Sequence, residues 1–216
     1  MTTSTELIIL HTTRFGENSV VIHTLSRDYG RRSFLVRSAG RKVMSLLLPL
    51  NIVEAEVMES IKSTLFTARN LTSCHPLLGI RNNIYKNTMT MFLSEVIYRT
   101  IKEGAAEEGM FEWCRNQILL LSAMEADFSN FHIRFLLELS IALGFSPECS
   151  DLMPFVGENY GAVSRLMTSS FAESMLIPLS GPVRNKICED VLRYIEYHTE
   201  STLTINSLKV LRELFV

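Results

Sequence analysis

The usual signatures of catalysis are missing from this 216-residue chain. Neither phosphate-cradling loop, G-x-x-x-x-G-K-[ST] or G-x-G-x-x-G, occurs, and Gly-x-Ser-x-Gly and His-Glu-x-x-His are absent too. Nucleotide hydrolysis, serine-dependent acyl transfer and zinc-dependent proteolysis therefore have no local motif to build on. The five histidines, His11, His23, His75, His132 and His198, are scattered and read as structural side chains. Glu54 and Glu56 share a strand face and could form a carboxylate pair, but any solvated strand face shows that spacing. The expectation is that the protein is not an enzyme.

Cysteine is sparse. Cys74, Cys114, Cys149 and Cys188 lie at least 35 residues apart, so no Cys-x-x-Cys pair exists and a local zinc knuckle is excluded by spacing. Isolated thiols in such a chain read as small core residues. Long apolar runs are also lacking: Leu7–Leu10 and Ile118–Leu121 are far shorter than a membrane span, and no basic segment precedes the first of them. These features predict a cytoplasmic, soluble protein with no membrane partner. Hydrophobic residues at 47% and charged residues at 20% are ordinary for a folded protein and argue against disorder.

Positive charge is unevenly placed in a chain whose formal net charge is −2. Up to Cys74 there are nine Lys/Arg and six Asp/Glu, a net +3, which leaves 12 bases and 17 acids, a net −5, for the remainder. The cations crowd into Arg27–Lys42, RDYGRRSFLVRSAGRK, where Arg27, Arg31, Arg32, Arg37, Arg41 and Lys42 face one acid, Asp28. Such asymmetry suggests an anionic partner for the first part of the chain and favours two domains over one. Phe34, Leu35 and Val36 are strand formers between turn signals at Tyr29-Gly30 and Ala39-Gly40. On a strand, Arg31, Ser33, Leu35 and Arg37 share one side while Arg32, Phe34 and Val36 share the other. A sheet with one buried face and a cationic rim could present guanidinium forks to phosphate oxygens. The same residues also describe a solvated strand edge protected by charge.

If those six cations met phosphates of a single strand, log affinity would fall against log salt with a slope of roughly −4. Raising salt from about 50 to 200 mM would then weaken binding about three-hundred-fold. Phe15, Tyr29 and Phe34 interleave with the cations and could stack on unpaired bases, with Phe34 better suited to the core and Tyr29, at a turn, to stacking.

In order along the chain, residues 6–13 and 19–25 form a predicted hairpin across Arg14–Asn18. The basic strand follows at 31–38, then a Leu/Met-rich link at 43–48. Residues 51–58 show the clearest period-two pattern, and a fifth strand is expected at 64–70. Five short strands without a confident long helix among them suggest a small barrel or sandwich; of the small barrels, the OB-fold has five strands and commonly binds nucleic acid. After Pro76 the periodicity becomes helical. Segments 79–102 (Ile84, Met91, Phe92 and Val96 on one face), 107–124 (Phe111, Cys114, Leu121, Met124) and 129–143 (Ile133, Leu136, Leu137, Ile141) should form a bundle. Ser129 is the expected N-cap and Gly144 the C-cap of the third. Residues 146–181 hold so many Pro and Gly that no long element is expected. A helix starting at Pro182 and a short amphipathic stripe, Leu208, Leu211 and Phe215, close the chain. The fold class is thus α+β: a small five-stranded barrel or sandwich over 1–76, then a helical domain over 77–216.

The runs Gly16–Lys42 and Leu46–Val57, with Arg134–Glu148, Val191–Glu200 and Leu208–Phe215, resemble in that order the bacterial RecO family of recombination mediators. The resemblance implies an N-terminal OB-fold that binds single- and double-stranded DNA, followed by a helical domain. It implies a non-enzymatic role in recombinational repair: annealing complementary strands and, with RecR, helping RecA onto DNA coated by single-strand-binding protein. The expected phosphate contacts are Arg14, Arg27, Arg31, Arg32, Arg37, Arg41 and Lys42, with Tyr29 stacking. The resemblance also implies a pocket for the acidic, apolar C-terminal tail of single-strand-binding protein, matched here by Arg134, Leu137 and Ile141. A plain helix ion pair from Arg134 to Glu138 explains the same residues. Many relatives carry a four-cysteine zinc module after the segment matching LGFSPE, whereas only Cys149 stands here, so no metal or other cofactor is expected and 146–181 reads as its remnant. Outside the family, the charge pattern also suits a scaffold whose barrel docks an acidic protein.

Overall fold

A computed structural model describes residues 2–37, 40–60, 65–106 and 108–214. The elements are β1 (Thr2–Phe15), β2 (Ser19–Ser26), β3 (Gly30–Arg37), α1 (Arg41–Leu46), β4 (Ile52–Met58), β5 (Phe66–Ser73), α2 (Leu78–Arg81), α3 (Ile84–Thr100), α4 (Met110–Ala123) and α5 (Phe131–Ala142). There follow α6 (Cys149–Val156), a single 3₁₀ turn at Gly157–Asn159, α7 (Tyr160–Thr168), α8 (Phe171–Met175), α9 (Gly181–Thr199) and α10 (Ser207–Leu214). The chain forms two compact units: Met1–Leu78 with Leu93–Leu119, and Gly79–Phe92 with Leu120–Val216.

The first unit is built on a closed barrel in the order β1-β2-β3-β5-β4. Closure depends on the length of β1. Its first half, Thr2–Ile8, pairs antiparallel with β4, and its second half, from Leu7 to Phe15, pairs with β2. A register shift between Ile9 and His11 accompanies this hand-over, as expected where a bulge bends a strand at a barrel corner. β3 closes the ring by pairing parallel with β5 at Phe34–Phe66 and Leu35–Thr67. This is an OB-fold, as the strand count and spacing suggested. The barrel is filled by Leu7, Ile9, Val20, Ile22, Phe34, Val36, Val53, Ala55, Val57 and Ala68. On β4 the period-two pattern holds, with Val53, Ala55 and Val57 inside and Glu54 and Glu56 in solvent. Two positions differ from expectation. The link at 43–48 overlaps helix α1, because Val43, Leu46 and Leu47 pack at i, i+3 and i+4 against the barrel core. The fifth strand runs on to Ser73, while its expected first residue, Thr64, lies outside the described residues, as do Ser38 and Lys62.

Gly30 shows why the turn before β3 needs glycine. Its φ is +61°, and a Cβ there would fall on the Ala105 carbonyl. The close approach lets residues 104–105 pair with β3: Arg31 N–H donates to Ala105 O and Gly104 N–H to Arg31 O, both at 2.8 Å. The outward side of β3 is therefore partly covered within its own unit.

In the second unit α5 packs on α7, α8 and α9, and α6 on α7 and α9. Eight of the twelve residues of α5 are buried. Three expectations about helix faces need correcting. Phe92 and Val96 are buried, but Ile84 is 66% and Met91 43% exposed on the same helix, and the segment 79–102 is broken at Arg81–Ile84 into two helices. Ile133, Leu136 and Leu137 are buried, whereas Ile141 is 54% exposed at the end of α5. The N-cap of α5 is Asn130, not Ser129. Asn130 is 1% exposed, and its Nδ2 donates to the Ser174 and Ile177 carbonyls at 3.0 and 2.8 Å while its Oδ1 accepts from Arg184 Nε at 3.2 Å.

Residues 146–181, expected to be irregular, are largely helical. Their breakers sit at element ends: Gly157 with φ +52° after α6, Pro178 between α8 and α9, and Gly181 in the first turn of α9. Pro154 lies inside α6 and Gly161 in the first turn of α7. Burial of Leu152, Val156, Val163, Leu166 and Met175 holds these short helices together. The start of α9 is as expected, with Pro182 in its first turn and Ser180 Oγ accepting from Val183 N–H at 3.4 Å. In the last stripe Leu211 is buried and Leu208 partly so, while Phe215 lies outside the described residues.

Candidate nucleic-acid interface

Strand register decides which side chains share the outer surface of β1, β2 and β3. Residues paired across strands point to one face, so three rows form outside the barrel: Phe15-Ser19-Arg37, Thr13-Val21-Leu35 and His11-His23-Ser33. The first row is open. Phe15 is 56% exposed, and Arg37 is exposed two strand spacings, or about 10 Å, away. Arg14 aligns with Val20 and Val36 on the inward row at the same end, where the strand runs out into solvent.

The seven cations expected to meet phosphate fall into two groups. Arg14, Arg37, Arg41 and Lys42 are exposed, and their side chains make no ion pair or hydrogen bond among the described residues. Arg69 on β5, which the crowded run at 27–42 overshadowed in the sequence, joins them: it too is exposed and unpaired, because its register partner Glu56 accepts instead from Asn70 Nδ2 at 2.9 Å. Arg37, Lys42 and Arg69 line one cleft. The other three are engaged by protein groups. Arg27 bridges Glu6 and Glu112, the latter at 2.9 Å, and lies 5.0 Å from the Phe111 ring centroid. Arg32 stacks 3.8 Å from the Phe66 ring centroid. Arg31 is 3% exposed and lies 4.7 Å from the Tyr98 ring centroid. Burial holds its pKa below the ordinary guanidinium range, against the opposing pull of Glu103. A guanidinium so withdrawn from solvent is not available to a phosphate.

Tyr29 is likewise turned inward. Its ring meets Phe34 and Phe66 edge-on, each at 5.9 Å, and its hydroxyl donates to Glu59 at 3.2 Å. The exposed aromatic of the barrel strands is Phe15, whose position in the open row only the register reveals.

His11 and His23, scattered in sequence, are cross-strand partners with centroids 5.7 Å apart. Tyr98 lies 5.1 and 5.2 Å from them, and His23 Nδ1 is hydrogen-bonded to Ser33 Oγ at 2.8 Å. Burial, then the nearby arginines, hold both imidazoles below their ordinary pKa. Neutral rings let this third row pack beside buried Arg31.

In the second unit, Arg134 pairs with Glu138 at 2.8 Å, and its Nη1 donates to the carbonyls of Leu166, Met167 and Ser169 at the end of α7. The ion pair that the spacing allowed is thus present. The guanidinium also satisfies helix-end carbonyls that have no partner within the helix. Leu137 is 3% exposed, which leaves Ile141 as the exposed member of the expected tail pocket.

A four-thiol zinc site does not fit these residues. Cys149 Sγ contacts Met167 Sδ at 3.9 Å, and burial pushes the Cys188 thiol up to about 12 and raises that of Cys114 as well. Among the described residues no group of three or more His, Cys, Asp or Glu is placed to hold a metal, and no helix is long and apolar enough to cross a membrane.

Fold and surface together define the class: an OB-fold protein with an added helical unit and a set of open cations at one end of the barrel. Comparison with known proteins narrows it. The family described as Recombination protein O N terminal matches residues 1–76, and that described as Recombination protein O C terminal matches 81–152. The DNA repair protein RecO of Phocaeicola vulgatus is 29% identical over 96% of this chain and 97% of its own length. That of Bacteroides fragilis is 28% identical, with the same coverage, and that of Flavobacterium johnsoniae 30% identical over 79% of this chain and 74% of its own. The chain belongs to the RecO family, and its role lies in DNA repair and recombination.

Proposed function

We propose that the protein is a non-enzymatic recombination mediator that binds single- and double-stranded DNA through the open end of its barrel. On this reading it anneals complementary strands and, with RecR, assists RecA loading on DNA coated by single-strand-binding protein. The observation that carries the proposal is the set of five exposed cations, Arg14, Arg37, Arg41, Lys42 and Arg69, without a protein partner among the described residues, beside exposed Phe15. Phosphate contacts made by such a set position a strand without reading its sequence, which suits a protein that must act on any sequence. The tail of single-strand-binding protein is assigned to the end of α5, with Ile141 as its apolar contact and Arg134 as its cation once released from Glu138. Folding and binding require no metal.

Fluorescence anisotropy of labelled random-sequence oligonucleotides across a salt series tests the DNA reading. Binding should be tight at low salt and fall steeply as salt rises. Failure to bind at low salt would refute it. Binding of a tail peptide that Ile141→Glu abolishes is the expected result for the second site, and metal analysis should find no zinc per chain.

A further inference from the structure

Between the end of β3, helix α1 and the start of β5 lies a cleft of about 450 Å³. Its floor is apolar: Val36 and Ala68 belong to the barrel core, and Val43, Leu46 and Leu71 pack on it from outside. Arg37, Lys42 and Arg69 stand around this floor with Asn70, and no acid is among the described lining residues. A phosphate track alone would need only the cations on a convex surface. Here three unpaired cations surround a concave apolar depression whose volume falls in the range of small-ligand sites.

We propose that this cleft seats one unpaired nucleobase of a bound strand while Arg37, Lys42 and Arg69 hold the phosphates on either side of it. Charge complementarity selects a polyanion, and the apolar floor selects an occupant with an exposed flat face. A nucleotide unit of single-stranded DNA has both. A base within a duplex is stacked on its neighbours and cannot enter, so the cleft adds affinity for single strands that duplexes do not receive. The inference rests on the barrel being the DNA surface, and it adds a preference that phosphate contacts cannot supply.

The test compares a thymine oligonucleotide with a strand of the same length and charge whose sugars carry no bases, using anisotropy at matched salt. The full chain should bind the thymine strand about a hundredfold more tightly, about tenfold from the seated base and about tenfold from stacking on Phe15, with equal salt slopes for the two. Filling the cleft from either wall, by Val43→Phe on α1 or Leu71→Phe on β5, should reduce that difference to about tenfold and leave duplex affinity unchanged. Thermal melting and unchanged duplex binding show that each variant is folded, and two variants from opposite walls guard against the loss of one. Equal binding of the two strands by the unaltered protein would overturn the base seat while leaving the DNA reading intact. So would a hundredfold preference that survives both fillings. Loss of all DNA binding by the unaltered protein would instead sink both.

Discussion

The division of cations into open and engaged sets makes a quantitative prediction. Each cation that meets a phosphate of a single strand contributes about −0.7 to the slope of log affinity against log salt. Five open cations give a slope of about −3.5, so raising salt from about 50 to 200 mM weakens binding about a hundred-fold. Replacing Arg37, Lys42 and Arg69 together by Gln leaves Arg14 and Arg41, a slope of about −1.4 and only about a sevenfold loss over the same range. Arg27→Gln is the control. It removes the same formal charge from the same stretch of sequence, but Arg27 already bridges Glu6 and Glu112, so the slope should stay near its original value. The pairs it loses are partly exposed and contribute little to stability, up to about 1 kcal/mol. Anisotropy titrations at four salt concentrations measure all three slopes. A fall in slope for Arg27→Gln as large as that for a single open cation would refute the reasoning, because affinity would then follow sequence charge and not the open set.

Other predictions follow from particular contacts. Phe15→Ala should weaken single-strand binding about tenfold, the scale of one base stacked on an aromatic ring, with little effect on duplex binding or melting temperature. His132 is completely buried, and burial, assisted by Arg184, lowers its pKa from 6.5 to about 3. Below pH 6.5 the unfolded chain takes up a proton that the folded protein refuses, so stability falls with pH from 6.5 down to about 3. Between pH 7 and 5 this amounts to about 2 kcal/mol, measurable as a drop in the urea midpoint that His132→Leu should largely remove. Gly30→Ala should cost more than about 1 kcal/mol by chemical denaturation, since the φ is positive and the Ala105 carbonyl occupies the space. Arg134→Ala removes the side-chain donor to the carbonyls at the end of α7 and should cost about 1–3 kcal/mol. An unchanged midpoint in either of these last variants would argue against the contacts described.

Much of the architecture follows from the sequence because it is local. Period-two alternation at Ile52–Met58, the turn residues at Tyr29-Gly30 and the helix start at Pro182 each act within a few residues of themselves, so pattern alone locates β4, the start of β3 and α9. The family could likewise be reached from ordered runs of residues. The short helices of 146–181 escaped this reading, because their own length is too small to make them stable and tertiary burial of residues such as Leu152 and Leu166 decides them. The same holds for the site. Sequence located the positive charge, but charge density does not say which guanidinium finds a protein partner. Arg27 and Arg31 lie in the basic run, yet Glu6, Glu112 and Tyr98 engage them from residues far away in the chain. Arg69 stood alone in sequence and joins Arg37 and Lys42 because β3 and β5 pair. The composition of the barrel thus determined that the protein would present cations; barrel closure, which sets residues distant in sequence side by side, decided which of them remain open to solvent.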